Sequence, residues 1–188
     1  MILESVLVTS NPDGSAHIAP LGLHVRAACL VVAPFRPSRT LDNLARTGQA
    51  SVNWTTDVRL FAGPVTGRRD WPVLPTIQQD GWRLRDADTH AELQVVSVED
   101  DAQRPRFVCA VTQETAHRPF RGFVRAQAAV VEAAILATRL HMLPAGKVDQ
   151  ELAYLQIAID KTAGPVEQEC WSWLQDHISA WRARNPAP

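Results

Sequence analysis

FRPSRTLDNLARTGQASVNW, Phe35 to Trp54, leaves an apolar run, gathers Ser38, Arg39 and Thr40, keeps helical spacing to Gly48, and returns to a strand that contains Asn53. Thr40 reads as a helix N-cap and Gly48 as its stop. A plain connection between two core strands has no use for a hydroxyl–guanidinium–hydroxyl cluster, whereas an anion site does. A helix N-terminus exposes unpaired N–H groups and a partial positive charge. Ser38 and Thr40 add hydroxyl donors, and Arg36 and Arg39 add guanidinium groups able to chelate phosphate oxygens. On these residues alone two readings stand: a capped helix with solvated arginines, or a phosphate cradle at a helix terminus.

The segments on either side read as strands. ESVLVTS (4–10) alternates, NPDG (11–14) supplies a tight turn, and SAHIAPLGLHV (15–25) continues extended, which is a hairpin signal. Pro20 and Gly22 mark the second strand as an edge, a bulge, or a place where something flat approaches the backbone. AACLVVAPF (27–35) is a continuous apolar strand, and QASVNWTTD (49–57) carries Asn53, which is either a satisfied structural amide or a ligand-facing one. From Val58 to His90 the pattern weakens, and AGPVTGRRDWPVLPT (62–76) reads as loop. AELQVVSVEDD (91–101) and RPRFVCAVTQETAH (104–117) follow as two long strands.

After Pro119 the spacing turns helical in RGFVRAQAAVVEAAILATRLHML (121–143), KVDQELAYLQIAIDKTAG (147–164) and PVEQECWSWLQDHISAWRA (165–183), the last with Pro165 in its first turn. Arg121 and Arg125 fall one turn apart near the start of the first of these, and Glu132 lies within its apolar run. The tail from Arg182 reads as a frayed end. Strands followed by helices predict an α+β protein: an antiparallel barrel over 1–119 and a helical segment over 120–188 packed on it as one structural unit.

Composition narrows the function classes. The chain has 188 residues, 46% of them hydrophobic, and a formal net charge of -1, so a dedicated nucleic-acid binder with a basic stripe is not expected. Three separated cysteines, Cys29, Cys109 and Cys170, read as reduced thiols of a cytoplasmic protein, and no apolar run is long enough for a membrane span. His17 and His24 are oddly spaced on one strand and point to opposite faces, and no metal-ligand, P-loop or nucleophile-elbow spacing occurs, so no metal and no hydrolase triad is expected.

Three motifs in order, the strand around Ala19-Pro20-Leu21-Gly22, then F-x-P-S-x-T-x-x-N-L (35–44), then a strand with Val52-Asn53, resemble the FMN-binding split β-barrel superfamily of flavin reductases and pyridoxamine-phosphate oxidases. FRGFVRAQAAVVEAAILATRL (120–140) narrows the resemblance to an archaeal and bacterial branch, domain-of-unknown-function family 447. It covers Leu3 to Trp181. The resemblance implies a homodimer with FMN at the subunit interface. In it Ser38, Arg39 and Thr40 hold the phosphate with Asn43 behind them. Ala19, Pro20, Leu21 and Gly22 lie along the isoalloxazine ring, and Asn53 sits near the ring or ribityl chain. The branch has an Asn-Arg pair entering the long helix. Here that segment is HRPFRGFVR (117–125), and Arg121 is assigned the arginine's role. The implied activity is an FMN-dependent oxidoreductase taking electrons from a pyridine nucleotide or another small molecule. A flavin carrier and a scaffold for another ligand are the alternatives.

Overall fold

The computed structural model describes residues 1–185 and has, in chain order, β1 (Ile2–Ser10), β2 (Ala16–Arg26), β3 (Cys29–Val32), α1 (Arg39–Thr47), β4 (Gln49–Trp54), α2 (Arg59–Val65), β5 (Val73–Pro75), β6 (Trp82–Leu84), β7 (Thr89–Glu99), β8 (Arg106–Ala116), α3 (Arg125–Thr138), α4 (Ala145–Thr162) and α5 (Pro165–Arg184). The chain resolves into two compact units, Met1–Thr55 with Trp71–Phe120, and Thr56–Asp70 with the residues from Arg121 onward.

In the first unit six strands close an antiparallel barrel in the order β1-β2-β3-β8-β7-β4. Its interior is lined by Leu7, Leu23, Val32, Ala50, Val52, Ala91, Leu93, Phe107 and Cys109, and Leu41 and Leu44 of α1 join that core. The barrel is split because β3 is short. β1 and β2 pair without interruption from Ile2↔His24 to Ser10↔Ala16, so the second strand carries no bulge. β2 meets β3 only at His24, Val25 and Arg26. The other edge of Ala16–Leu23 therefore pairs with no strand among the described residues. Pro20 is tolerated there because an edge position does not need its missing N–H. Val111 lies beyond the part of β8 that β3 covers and is exposed, and Leu30, Val95 and Val108 are only part-buried, whereas Val6, Val8, Val32 and Val52 are fully buried. The β2–β3 turn is the two-residue Ala27-Ala28 with Ala27 at φ 50, a left-handed conformation that alanine does not advertise.

The outer face of β1, β4 and β7 is buried as deeply as the inner one. Strand register puts Val6, Asn53 and His90 in one row and Val8, Ser51 and Glu92 in the next. Asn53, His90 and Glu92 have no exposed surface. The cover is the segment 71–88, folded as the β5–β6 hairpin and its flanks, and its attachments are polar. Ser51 Oγ donates to Trp82 O at 2.7 Å, and Leu84 N donates to Asn53 Oδ1 at 2.9 Å. Glu92 accepts from the backbone N–H of Ile77, and from those of Gln78 and Gln79 at 3.0 Å each. Part of the stretch that reads as loop in the sequence is thus a flap pinned to the barrel.

In the helical unit, Ala126, Ala129, Val130, Ala133 and Ala137 form a narrow stripe on α3 that joins one core with Val58, Ala62, Val148, Ile159, Cys170, Trp171, Leu174 and Ile178. Trp171 Nε1 donates to Gln156 Oε1 at 2.7 Å, and Ala126 N donates to Thr162 Oγ1 at 3.0 Å. Glu167 completes the start of α5 by accepting from Gly164 N at 2.9 Å. Two sequence expectations need correction. α2 is a helix despite Gly63 and Pro64, because burial of Leu60, Phe61 and Ala62 outweighs propensity in so short an element. Glu132, although it lies within the apolar run of α3, is exposed and not buried with it. The tail is helical through Arg184, and residues 186–188 lie outside the described residues. Among the described residues no helix is long and apolar enough to cross a membrane, and no cluster of His, Cys, Asp and Glu could hold a metal.

The flap's polar attachment yields a stability prediction. Asn53→Ala removes the acceptor of Leu84 N and the donor to Val6 O, at 3.1 Å, and leaves both buried. Each unpaired buried group costs about 1–3 kcal/mol. Urea unfolding of the variant should show a loss in that range or above, and a loss below about 1 kcal/mol would show that the amide is not an anchor.

Candidate functional site

α1 starts where the sequence cluster lies, one residue before Thr40. Ser38 is the N-cap, with extended backbone and its hydroxyl accepting from Leu41 N at 3.3 Å, and Gly48 ends the helix in the left-handed region. The cap role expected of Thr40 therefore belongs to Ser38. Of the helix's first N–H groups, that of Leu41 is taken by Ser38. Among the described residues no hydrogen bond takes those of Arg39 and Thr40.

The helix is held against the barrel by three polar contacts. Asn43 is buried, and its Nδ2 donates to Thr9 Oγ1 at 3.0 Å and Asn11 Oδ1 at 3.1 Å, so it fastens α1 to β1 and the turn after it. Arg46 donates to Ser10 O. Thr40 is also buried, and its Oγ1 lies 3.2 Å from His17 Nε2 on β2. This last contact sets the N-terminus of α1 beside the unpaired edge of β2. Arg39 next to it is exposed and has no hydrogen bond among the described residues, and its charge helps hold the Asp13 carboxyl low, after the larger effect of the Ser15 hydrogen bonds. Arg36 is exposed and reaches Asp100 at 3.4 Å.

Ser38, Arg39, Thr40, Ala19, Pro20, Leu21 and Gly22 are thus brought to one side of the barrel. Ala19 to Gly22 are part-buried, and their backbone faces the split. Leu21 turns its side chain to the barrel core, and its carbonyl accepts from Ser5 Oγ at 2.8 Å. At Gly22 an added Cβ would lie 2.9 Å from Ile2 Cγ2, so a larger residue there would have to displace that exposed side chain.

Two of the expected residues are placed otherwise. Asn53 faces outward with its amide taken by Val6 O, Ser51 and Leu84 N, the structural alternative that its residue type left open. Arg121 is exposed and lies before α3, which begins at Arg125 and not at 121 as the spacing predicts. The sequence reading missed His17 as the residue bridging β2 to α1, since spacing dismissed it as a metal ligand without asking what else it faces. It also missed Glu92, whose signal was a carboxylate inside the apolar strand AELQVV.

The donor set fits a phosphate monoester: two free backbone N–H groups at a helix N-terminus, a guanidinium beside them, and hydroxyls whose lone pairs and protons are partly engaged by the fold. The adjoining strand edge offers backbone donors and acceptors to a flat polar ring system. No metal is needed for such a site.

The sequence matches the family described as "Protein of unknown function (DUF447)", its N-terminal domain over residues 3–118 and its second part over residues 124–176. No curated protein matches it. In fold it is similar to an FMN-bound protein of Methanosarcina mazei assigned to the same family, 16% identical, covering 94% of each chain with a TM-score of 0.80. It is also similar to flavoredoxin from Methanosarcina acetivorans, 17% identical over 64% of this chain and 72% of that one, TM-score 0.55. A third likeness is to the styrene monooxygenase flavin reductase of Pseudomonas putida S12, 18% identical over 62% of this chain and 80% of that one, TM-score 0.51. These are likenesses of fold. With the family matched along most of its length and the split barrel in place, the chain belongs to the DUF447 family.

Proposed function

We propose that the protein binds FMN at the split of its barrel and acts as a flavin-dependent oxidoreductase. The observation that carries this reading is the His17–Thr40 contact at 3.2 Å, which sets a helix N-terminus with two free N–H groups beside an unpaired strand edge. The N–H groups of Arg39 and Thr40, the Arg39 guanidinium and the Ser38 hydroxyl would hold the phosphate. The backbone of Ala19–Gly22 would meet the polar rim of the isoalloxazine ring. Asn43 supports the site from behind by fixing α1, and Arg121 enters on the family resemblance alone. Bound there, FMN would supply hydride and electron chemistry. The chain's own part is to bind it, orient it and shield one of its sides. The FMN-bound relative from Methanosarcina mazei supports the cofactor.

The second side of a flat ring needs a further cover, and a second copy of the chain is proposed to supply it. Val96 and Val98, exposed on one face of β7, are consistent with a surface that another subunit covers. Sedimentation at micromolar concentration should give a dimer. A monomer that binds FMN tightly would refute this part of the reading.

The cradle is tested by comparing FMN with riboflavin, which lacks the phosphate. Arg39→Ala and Ser38→Ala should each weaken FMN by about tenfold to a hundredfold, the loss of a charge-assisted hydrogen bond of ~1.5–3 kcal/mol, and leave riboflavin little changed. An unchanged ratio in both variants removes the phosphate from α1. Stopped-flow mixing of the FMN-loaded protein with NADH or NADPH should bleach the flavin absorbance. Failure of both donors would favour a carrier role.

A further inference from the structure

Arg83, in the middle of β6, is a half-buried arginine that meets no carboxylate among the described residues. Its Nη1 donates to Leu84 O at 3.2 Å, and its Nε is buried with no hydrogen bond. The other half-buried arginines among the described residues are provided for. Arg59 and Arg182 meet Asp57 and Asp149 at 2.7 Å each, and Arg104 lies over the Phe35 ring and donates to Ala33 O at 3.0 Å. The carboxylates that follow Arg83 in the chain, Asp86 and Asp88, are faced by Arg85 and Arg118. A guanidinium drawn part-way out of water with no opposite charge is costly.

Around Arg83 the fold gathers imidazoles. Leu84 N is held by Asn53, whose strand partner is His90. The N–H groups of His117 and Arg118 donate to Asp88 O at 2.7 and 3.1 Å, and Arg118 Nη2 donates to Asp86 O at 2.7 Å, so the 83–88 segment lies along His117 and Arg118. His90 has no exposed surface, and its Nδ1 lies 2.9 Å from His117 Nε2, with the rings stacked at 5.0 Å and 13°. Glu92 Oε1, 3.6 Å from His90 Nε2, assigns the proton to that nitrogen, so His90 Nδ1 accepts from His117 Nε2–H. His117 is exposed, and its Nδ1 has no hydrogen bond among the described residues.

We propose that Arg83 and His117, with Arg118 at the rim, form a binding site for a phosphate-type dianion on the outer face of the barrel, separate from the cradle at α1.

Charge selects the ligand. Arg83 brings one positive charge and protonated His117 a second, whereas that of Arg118 is met by Asp86 and Asp88 at 3.5 and 4.0 Å. A dianion neutralises both charges, and a carboxylate only one. The guanidinium offers a fork of N–H groups to two oxygens, and His117 Nδ1–H offers a third donor. Glu92 keeps its three backbone N–H partners and serves only to orient His90. With no anion bound the local field is positive. Burial, Arg83 and His117 hold His90 below the ordinary histidine value, against the pull of Glu92, and burial, Arg83 and Arg118 do the same for His117. An anion between Arg83 and His117 opposes that field at His117.

The test follows the His117 ring by NMR titration of the full chain, its signal assigned by its loss in His117→Gln. Sodium sulfate, a dianion that does not titrate in this range, is compared with sodium chloride at equal ionic strength. Protonation adds a charge and a donor to the site, so sulfate should bind the protonated form more tightly. Tenfold tighter binding raises the His117 midpoint by about one pH unit at saturation. Arg83→Gln should raise the midpoint in chloride, because a nearby positive charge is gone, and should abolish the sulfate effect, whereas Arg83→Lys should keep part of it. Arg39→Ala, which removes the guanidinium of the proposed cradle, should leave the effect intact. A wild-type midpoint indifferent to sulfate, a sulfate effect that survives Arg83→Gln or is lost in Arg39→Ala, or an equal effect of acetate at the same ionic strength overturns the site.

Discussion

The brevity of β3 governs the rest of the barrel. Four residues pair with β2 over three positions, and the remaining length of β2 has backbone polar groups on one side with no strand to meet them. Unpaired backbone donors and acceptors are costly wherever water is excluded, and an open edge invites another chain. The barrel's answer is α1, inserted right after β3. Leu41 and Leu44 plug the core, Asn43 and Arg46 fasten the helix to β1 and the turn beyond it, and the free N-terminus comes to rest against the open edge through Thr40 and His17. One short strand thus produces two adjacent sets of unmet hydrogen-bonding groups. The proposed ligand, with a phosphate at one end and a polar flat ring at the other, would satisfy both.

The outer face solves a different problem with the same currency of hydrogen bonds. Asn53, Ser51 and Glu92 could have been valines packed beneath an apolar hairpin, as Val6 and Val8 are. Apolar contact is non-directional, and a three-residue strand such as β5 or β6 has too little surface to fix its own register. Buried acceptors and donors at fixed places specify which backbone atoms of 77–84 lie over which strand. Glu92 carries the most demanding share, since a buried carboxylate needs all three of its N–H partners to repay its desolvation.

Most of the architecture was legible because it rests on period and punctuation. The first hairpin, the strand at 49–54, the two long strands and the three C-terminal helices follow from alternation, helical spacing and Gly/Pro stops. The helix start at 38–40 was legible because hydroxyls precede helical spacing there, although Ser38 and not Thr40 is the cap. What could not be read depends on contacts between residues far apart in the chain. Asn53 looks the same in sequence whether it meets a ligand or the N–H of Leu84. α2 hides behind Gly63 and Pro64 because its stability comes from burial. Ala27 turns the chain at positive φ without a glycine to announce it. His90 and His117, 27 residues apart, become neighbours only through the β7–β8 pairing, which sets His90 opposite Thr115 and leaves His117 two residues further on.

The two polar systems of the barrel therefore differ in what they leave undone. Around Asn53 every donor and acceptor of the amide is engaged, and the result is a fixed piece of structure. At the N-terminus of α1 the engagement stops short: Leu41 N is capped, the next N–H groups are not, and Arg39 stands beside them uncommitted. His90 lies between these cases, with one ring nitrogen bonded and the other buried without a partner opposite a carboxylate. A buried polar atom left unpaired costs about 1–3 kcal/mol. A fold that needed only rigidity at this position would gain by replacing the imidazole with an apolar side chain of similar size. The imidazole keeps one bonded nitrogen and one unpaired nitrogen that faces Glu92 at 3.6 Å, a mismatch that Asn53, fully satisfied one strand away, does not have.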